Sequence, residues 1–343
     1  MSEAATATHR AARAERLRAL AADRGAGAVV LRRHQNFAWY TGGADSRVER
    51  ASPLGVADIV VTAEGEHVVA STIEAERMRR EQTPEIEVLE YAWYDDPTPL
   101  LAELAGGRAL LADTAIEGAT KGAAAIARLR QVLDPDAIAR LRGVGADASA
   151  ALAEAAGAVR PGAGELDLAA EIAAACRRRG LDPTVLLAAA DERIALHRHP
   201  IPADATVQRR AMLVISAERG GLYANLTKLV ELEEPAPDLA RRKIACDEIL
   251  RRMREEATRP GRTLAQAFDD CRRFYAEAGF PDEWKLHHQG GSTGYASREV
   301  IATPATADEI VPGQAFAWNP SITGAKSEET FLLSASGAEV VAG

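Results

Sequence analysis

Seven histidines occur in 343 residues, and four of them form two tight pairs: His197/His199 in "ALHRHPIP" and His287/His288 in "HHQGGSTGYASRE". Imidazole is the side chain whose ordinary pKa lies closest to neutrality, so such pairs suit proton transfer or metal ligation. As acid–base groups they would take a proton from water or give one to a leaving nitrogen. If the first pair lies on an extended segment, both rings point to one face. The second pair leads into Gly290-Gly291, read as turn residues tolerant of unusual backbone angles, and then Tyr295 and Arg298-Glu299. Tyr295 can hydrogen-bond a substrate or pack against a sheet. Arg298 can clamp a carboxylate through two parallel N–H groups or pair with a neighbouring acid. Asp191, Glu192 and Arg193, just before the first pair, read as a salt-bridged turn.

Other chemistries lack their signatures. There is no GxGxxG after a strand, no GxxxxGK[ST], no HExxH and no GxSxG. The three cysteines, Cys176, Cys246 and Cys271, are far apart and without ligand spacing, which points to a reducing compartment. A net charge of -9 argues against nucleic-acid or anionic-membrane partners. No apolar run approaches the ~20 residues of a membrane span. The first 25 residues carry no apolar core of a secretory signal, so a cytoplasmic protein is expected.

The length suits two domains. Residues 1–133 alternate between element types: a helix near 8–24, the strand "GAVVLRR", a short aromatic segment "NFAWYTGG", the hairpin "DIVVTAEGEHVVAS", a helix in "STIEAERMRREQ", then "IEVLEYAWY", a helix from about 97 and "RALLADT". This is a small α/β domain. Residues 134–343 open with a long Ala-rich helix stopped by Pro161-Gly162 and a second helix closed by Gly180. Strands then run from "PTVLLAAA" to "LYANLTKLVEL", followed by helices at about 237–257 and 263–279 and strand-like runs to the end. Helices interspersed with antiparallel hairpins predict an α+β domain, a curved sheet backed by helices.

Read in order, these segments resemble the pita-bread superfamily of aminopeptidase P, prolidase, creatinase and methionine aminopeptidase over nearly the whole chain. "NFAWYTGG" is similar to the N-x-x-Y-L-T-G segment of a creatinase-type N-terminal domain. "GLYANLTKLV" resembles the strand ending in Asp-x-Thr-Arg, "HHQGG" the His-Gly-x-Gly turn, "FAWNPSI" the Glu-Pro-Gly strand and "SEETFLL" the Glu-Asp-Thr strand. The resemblance implies a creatinase-like N-terminal domain followed by a pita-bread catalytic domain. It also implies a homodimer in which one subunit's N-terminal domain roofs the other's site. "TGGADSRVERAS" is placed for that role, with Arg47 or Arg50 reaching a substrate carboxylate; the bland alternative is a solvated loop.

Hydrolases of this superfamily bind two divalent metals through two Asp, one His and two Glu. Carried over, these positions fall on Val214, Asn225, His288, Asn319 and Glu328, so one imidazole and one carboxylate remain. Two hard dications need several oxygen anions, and the remainder is an incomplete shell even for one zinc. Ser216 or Glu218 would partly replace the first Asp if the register slips. No metal and no other cofactor is expected.

Creatinase, similar in fold, cleaves a C–N bond without metal by a histidine acting as acid and base. The matching segment here holds His197 and His199, which the sequence does not separate. The expectation is a metal-independent, creatinase-like hydrolase or lyase acting on a C–N or related bond of a small, amino-acid-derived substrate. His288, His199, His197 and Glu328 are its candidate catalytic residues. Asn225 and Asn319, as amides, would donate to a developing oxyanion; His287, Tyr295, Arg298, Arg47 and Arg50 would surround the substrate. The alternatives are a metal-dependent Xaa-Pro peptidase and a non-catalytic binding module of this fold, as in its histone-chaperone members.

Overall fold

In a computed structural model the chain forms two compact units, Met1–Asp136 and Ala137–Gly343. Residues 3–343 are described, with side chains from Thr8 onward. The first unit is built on a six-stranded mixed sheet. Its strands are β1 (Ala28–Arg33), β2 (Leu54–Thr62), β3 (Glu66–Ser71), β4 (Glu87–Tyr91), β5 (Leu110–Ala112) and β6 (Thr120–Lys121), in the order β4-β3-β2-β1-β5-β6. The alternating β2–β3 run forms an antiparallel hairpin, while β5 lies parallel to β1. The aromatic segment is a helix, His34–Thr41. Burial of Phe37, Trp39 and Tyr40 overrides their weak helix propensity, and Gly42, at φ 79°, ends the helix in the left-handed conformation. Arg47 and Arg50 follow, both bound to Asp45.

The second unit opens with helices Pro135–Ala156 and Glu165–Arg178. A three-stranded antiparallel sheet follows: β7 (Asp182–Ala190), β8 (Arg210–Arg219) and β9 (Leu222–Glu231). Nine of the ten β8 residues are buried, as expected for a central strand covered on both faces. A five-stranded sheet of order β11-β10-β12-β15-β16 uses β10 (Gly290–Thr293), β11 (Val300–Ile301), β12 (Ala315–Trp318), β15 (Glu329–Ser334) and β16 (Gly337–Ala342). Between them runs a ribbon of β13 (Ser321–Ile322) and β14 (Ala325–Lys326). The sheets meet where Thr227 bridges Glu328 and the Tyr223 N–H donates to Gly294 O.

Helices Pro237–Arg252 and Leu264–Glu277 back the second sheet, and Phe274, Tyr275, Phe316, Trp318 and Phe331 fill the space between. The latter helix starts with a capping box, Thr263 and Gln266 each satisfying the other's backbone N–H. Gly290 and Gly291 are strand residues, not the turn expected from sequence. Their φ values of 109° and 153° lie outside ordinary strand geometry, and a Cβ on either would strike the carbonyl oxygen of Ala317 or Val300 on the flanking strands. Among the described residues, no helix is long and apolar enough to cross a membrane.

Candidate active site

Two chain segments far apart in sequence bring the histidines together. His287 and His288 lie between the short helix Glu283–Leu286 and β10. Gln289 fixes this segment: its amide donates to Trp284 O and His287 O, and its oxygen accepts from the buried Tyr275 hydroxyl at 2.7 Å. His199 lies on the loop after helix Arg193–Leu196. That loop is pinned by Arg198, which donates to Glu283 Oε2 at 2.6 Å, Thr323 Oγ1 at 2.9 Å and Ser321 Oγ at 3.2 Å. The result is a three-imidazole cluster. His199 Nε2 and His287 Nε2 are 2.9 Å apart, so one carries the shared proton. The His287 and His288 rings stack at 4.5 Å.

His197 is not in this cluster. It ends the preceding helix with φ −129°, and its side chain is exposed. A helical turn precedes it, and no ring contact or shared ligand group joins it to the other histidines among the described residues. The Asp191 cluster is a tied turn, as read from sequence. Asp191, at φ 47°, accepts from the N–H groups of Gln208, Arg209 and Arg210, and Arg193 pairs with the buried Glu165.

Beside the imidazoles lies a pocket of about 170 Å³ with two contrasting walls. One is mainly aliphatic: Val185, Leu187 and Val214 from β7 and β8, with Ser216. The other is polar: His199, His288, Arg298, Asn319, Lys326 and Glu328. Glu328 organises it. Its carboxylate accepts from Arg298 Nη2 at 2.9 Å and Thr227 Oγ1 at 2.7 Å, and Lys326 Nζ lies 2.9 Å away. Burial alone would push the Glu328 carboxyl up, but Lys326 and Arg298 outweigh it and hold it at about 2. Two cations and one anion thus leave this wall with one net positive charge.

Sequence reasoning passed over Lys326 and Arg198. A signal for Lys326 existed: it stands two residues before Glu328, the spacing that puts side chains of an extended segment on one face. Arg198 had none, because its partners are 85 or more residues away.

Asn225 is fully buried and occupied. Its side-chain oxygen accepts from Ser216 Oγ at 2.6 Å and its amide donates to Thr293 Oγ1 at 3.2 Å, joining β8, β9 and β10. It is not among the residues that line the pocket described above. Tyr295 is also buried, accepting from Arg140 Nη2 at 2.6 Å, and packs instead of facing the pocket. Glu218 caps the β8–β9 turn through Gly221 N. Arg47 and Arg50 belong to the first unit, on Asp45.

His287 and His288 are not poised near neutrality as expected. Burial pushes all three down, reinforced by nearby cations, Lys326 on His199 and His287 and Arg298 on His288; His287 and His288 are lowered further by the neighbouring imidazoles. His287 falls to about 3 and His288 to about 4. Their folded values lie below the unfolded one, so between about 4 and about 6.5 the unfolded chain binds more protons. Stability is therefore expected to rise with pH across that window and level off above it, by at most about 1.4 kcal/mol per pH unit per histidine. Urea midpoints at several pH values check this; a His288→Gln variant with an unchanged slope would refute it.

Residues 139–336 match metallopeptidase family M24, and residues 13–146 match the creatinase/prolidase N-terminal domain. The chain belongs to the M24 family. A probable dipeptidase PepE of Mycobacterium tuberculosis is 25% identical over 93% of this chain and 91% of its own. The prolidase of Pyrococcus horikoshii OT3 shares the fold, with TM-score 0.83 at 17% identity over 97% of this chain and 98% of that one. The N-terminal domain of the FACT complex subunit SPT16 from Eremothecium gossypii does so too, with TM-score 0.70 at 12% identity over 97% and 96% of the two chains.

A metallopeptidase family implies metal, but the residues at the resembling positions do not fit a two-metal centre. Val214 has no donor, Asn225 is committed to two hydroxyls, and Glu328 already balances Lys326 and Arg298. Among the described residues, the group able to hold an ion is His199, His287 and His288, whose ligand nitrogens lie within 4.8 Å of one another. Three neutral nitrogens suit a single borderline ion, not two hard ones, and the neighbouring cations oppose it.

Proposed function

We propose that this M24 family member hydrolyses the amide C–N bond of a dipeptide-like substrate of the Xaa-Pro class, with proton transfer by its imidazole cluster in place of a two-metal centre. The observation carrying this reading is the three-imidazole cluster at the edge of a pocket whose charged and amide groups are Arg298, Lys326, Glu328 and Asn319. The dipeptidase and prolidase names of its relatives favour a peptide over the other small C–N substrates of a creatinase-like enzyme.

In this reading, water attacks the carbonyl carbon and gives its proton to the His288 imidazole. The C–N bond breaks, and the proton passes to the leaving nitrogen, yielding a carboxylic acid and an amine. A free His288 is a weak base. A substrate anion set against Arg298 would offset one of the charges holding it down and raise its basicity. Arg47 and Arg50 would act in a homodimer, carried over the pocket by a second copy's N-terminal unit.

Protein dialysed against EDTA is expected to hydrolyse Gly-Pro or Ala-Pro. Activity that vanishes with the chelator and returns only with two equivalents of Mn²⁺ would overturn the imidazole mechanism. Absence of hydrolysis of any Xaa-Pro dipeptide, with or without metal, would overturn the substrate class and favour a binding module.

A further inference from the structure

A second pocket on the C-terminal unit shares no lining residue with the one beside the imidazoles. It also has a volume of about 170 Å³. The turn after β7, the start of β8, the end of β9 and the start of helix Pro237–Arg252 enclose it.

Two of its features call for an anion. Arg210, the first residue of β8, is 6% exposed. Its Nη2 lies 2.9 Å from Glu231 Oε1, yet neither Nη2 nor Nε has an aligned acceptor among the described residues. The Glu231 contact is thus an ion pair without a hydrogen bond. Buried donors are nearly always satisfied, and these two form the guanidinium edge that grips a carboxylate by parallel bonds. The second feature is independent. The 16-residue helix Pro237–Arg252 begins without a side-chain cap. Asp238 in its first turn bonds Arg241 and Arg242 instead. The N–H groups of Asp238 and Leu239 have no acceptor among the described residues. Ala236 and Leu239 line the pocket, so this positive helix end opens on it.

The rest of the lining restricts what the anion can belong to. Glu192 and Glu234 are exposed and unpaired among the described residues, and Glu233 has only Arg209, at 3.9 Å. Asp191 is spent on three backbone N–H groups. These glutamates oppose a phosphate dianion and would hold an ammonium. The other walls are apolar, with Ala195, Pro235 and Leu239. Gly324, at φ 85°, keeps space beside Leu239: a Cβ there would come within 2.9 Å of Leu239 Cδ2.

We propose that this pocket binds a free α-amino acid with an apolar side chain. Arg210 and the helix start take its carboxylate, the Glu192–Glu233–Glu234 rim takes its ammonium, and Ala195 and Leu239 meet its side chain. The site is separate from the imidazole pocket and does not depend on the hydrolase reading.

The test is isothermal titration calorimetry on the full chain with three probes. L-leucine carries both charges, 4-methylpentanoate lacks the ammonium and L-leucinamide lacks the carboxylate. L-leucine should bind at least ten-fold more tightly than either analogue. Arg210→Gln should weaken L-leucine at least ten-fold and L-leucinamide less than two-fold; a merely structural arginine would shift both together. Ala236→Trp, at an exposed lining position, should block L-leucine, whereas His288→Ala should leave its affinity unchanged. No detectable L-leucine binding, or a preference that survives Arg210→Gln, would overturn the proposal. So would loss of binding in His288→Ala, which places leucine beside the imidazoles instead. If Arg210→Gln does not fold, Ala236→Trp decides, and L-leucine binding retained there refutes the site.

Discussion

Glu328→Gln is expected to destabilise the C-terminal unit by about 3–5 kcal/mol, the range for removing one partner of a buried ion pair. The change is nearly isosteric, so packing is preserved and the loss is electrostatic. Lys326 and Arg298, with side chains 5% and 12% exposed, would face each other across a neutral amide. The origin of the loss is testable through a second substitution. Lys326→Met in the Glu328→Gln background removes one of the stranded charges and should recover a large part of the stability. Chemical denaturation of the wild type, both single variants and the double variant forms the cycle. Additive losses would show that the three groups do not act as one ionic unit.

His288→Ala is expected to lower kcat by about 100- to 10,000-fold, the usual contribution of a positioned proton-transfer group, with little change in fold. His288 lines the pocket, and its Nδ1 is unpaired. His199→Ala should have a smaller effect, because His199 sits on the exposed rim and meets His287 at 2.9 Å. His197→Ala should have none, because His197 stands outside the cluster. Steady-state kinetics on Xaa-Pro dipeptides checks the order; an inactive His197→Ala with an active His288→Ala would invert it. The depressed imidazole values place the acid limb of kcat/KM below pH 6, since the free enzyme must be titrated through about 4 to protonate His288.

The fold was legible because motif order fixed the element sequence. The hairpin at β2–β3, the helix end at Gly180 and the strand character of "LYANLTKLV" are local signals, readable from alternation and glycine placement, whereas the aromatic segment before Gly42 does not read as the helix it forms. The site was legible in part. The motif segments located His288, Asn319 and Glu328 near one another. They did not reveal that Asn225 would be consumed by Ser216 and Thr293, since those hydroxyls come from neighbouring strands whose register no local pattern encodes. The glycine pair misled for a related reason: what forbids a side chain there is the approach of flanking strands, not a turn. The expected imidazole pKa failed because it depends on burial and on Lys326, both tertiary. His197 and His199 separated once the loop's course was known, set by Arg198 and its distant partners.

The Arg198 clamp bears on how the protein comes to be active. It and the His199–His287 contact join segments 85, 88 and 123 residues apart along the chain. Contacts of such long range close late, because loop-closure entropy must be overcome before they bring any gain. The cluster is therefore expected to assemble after the β7–β9 hairpins, whose pairings are local. A partly opened chain that keeps the hairpins is therefore expected to lack the imidazole cluster, and local opening of the β13–β14 ribbon is expected to separate its rings before global unfolding.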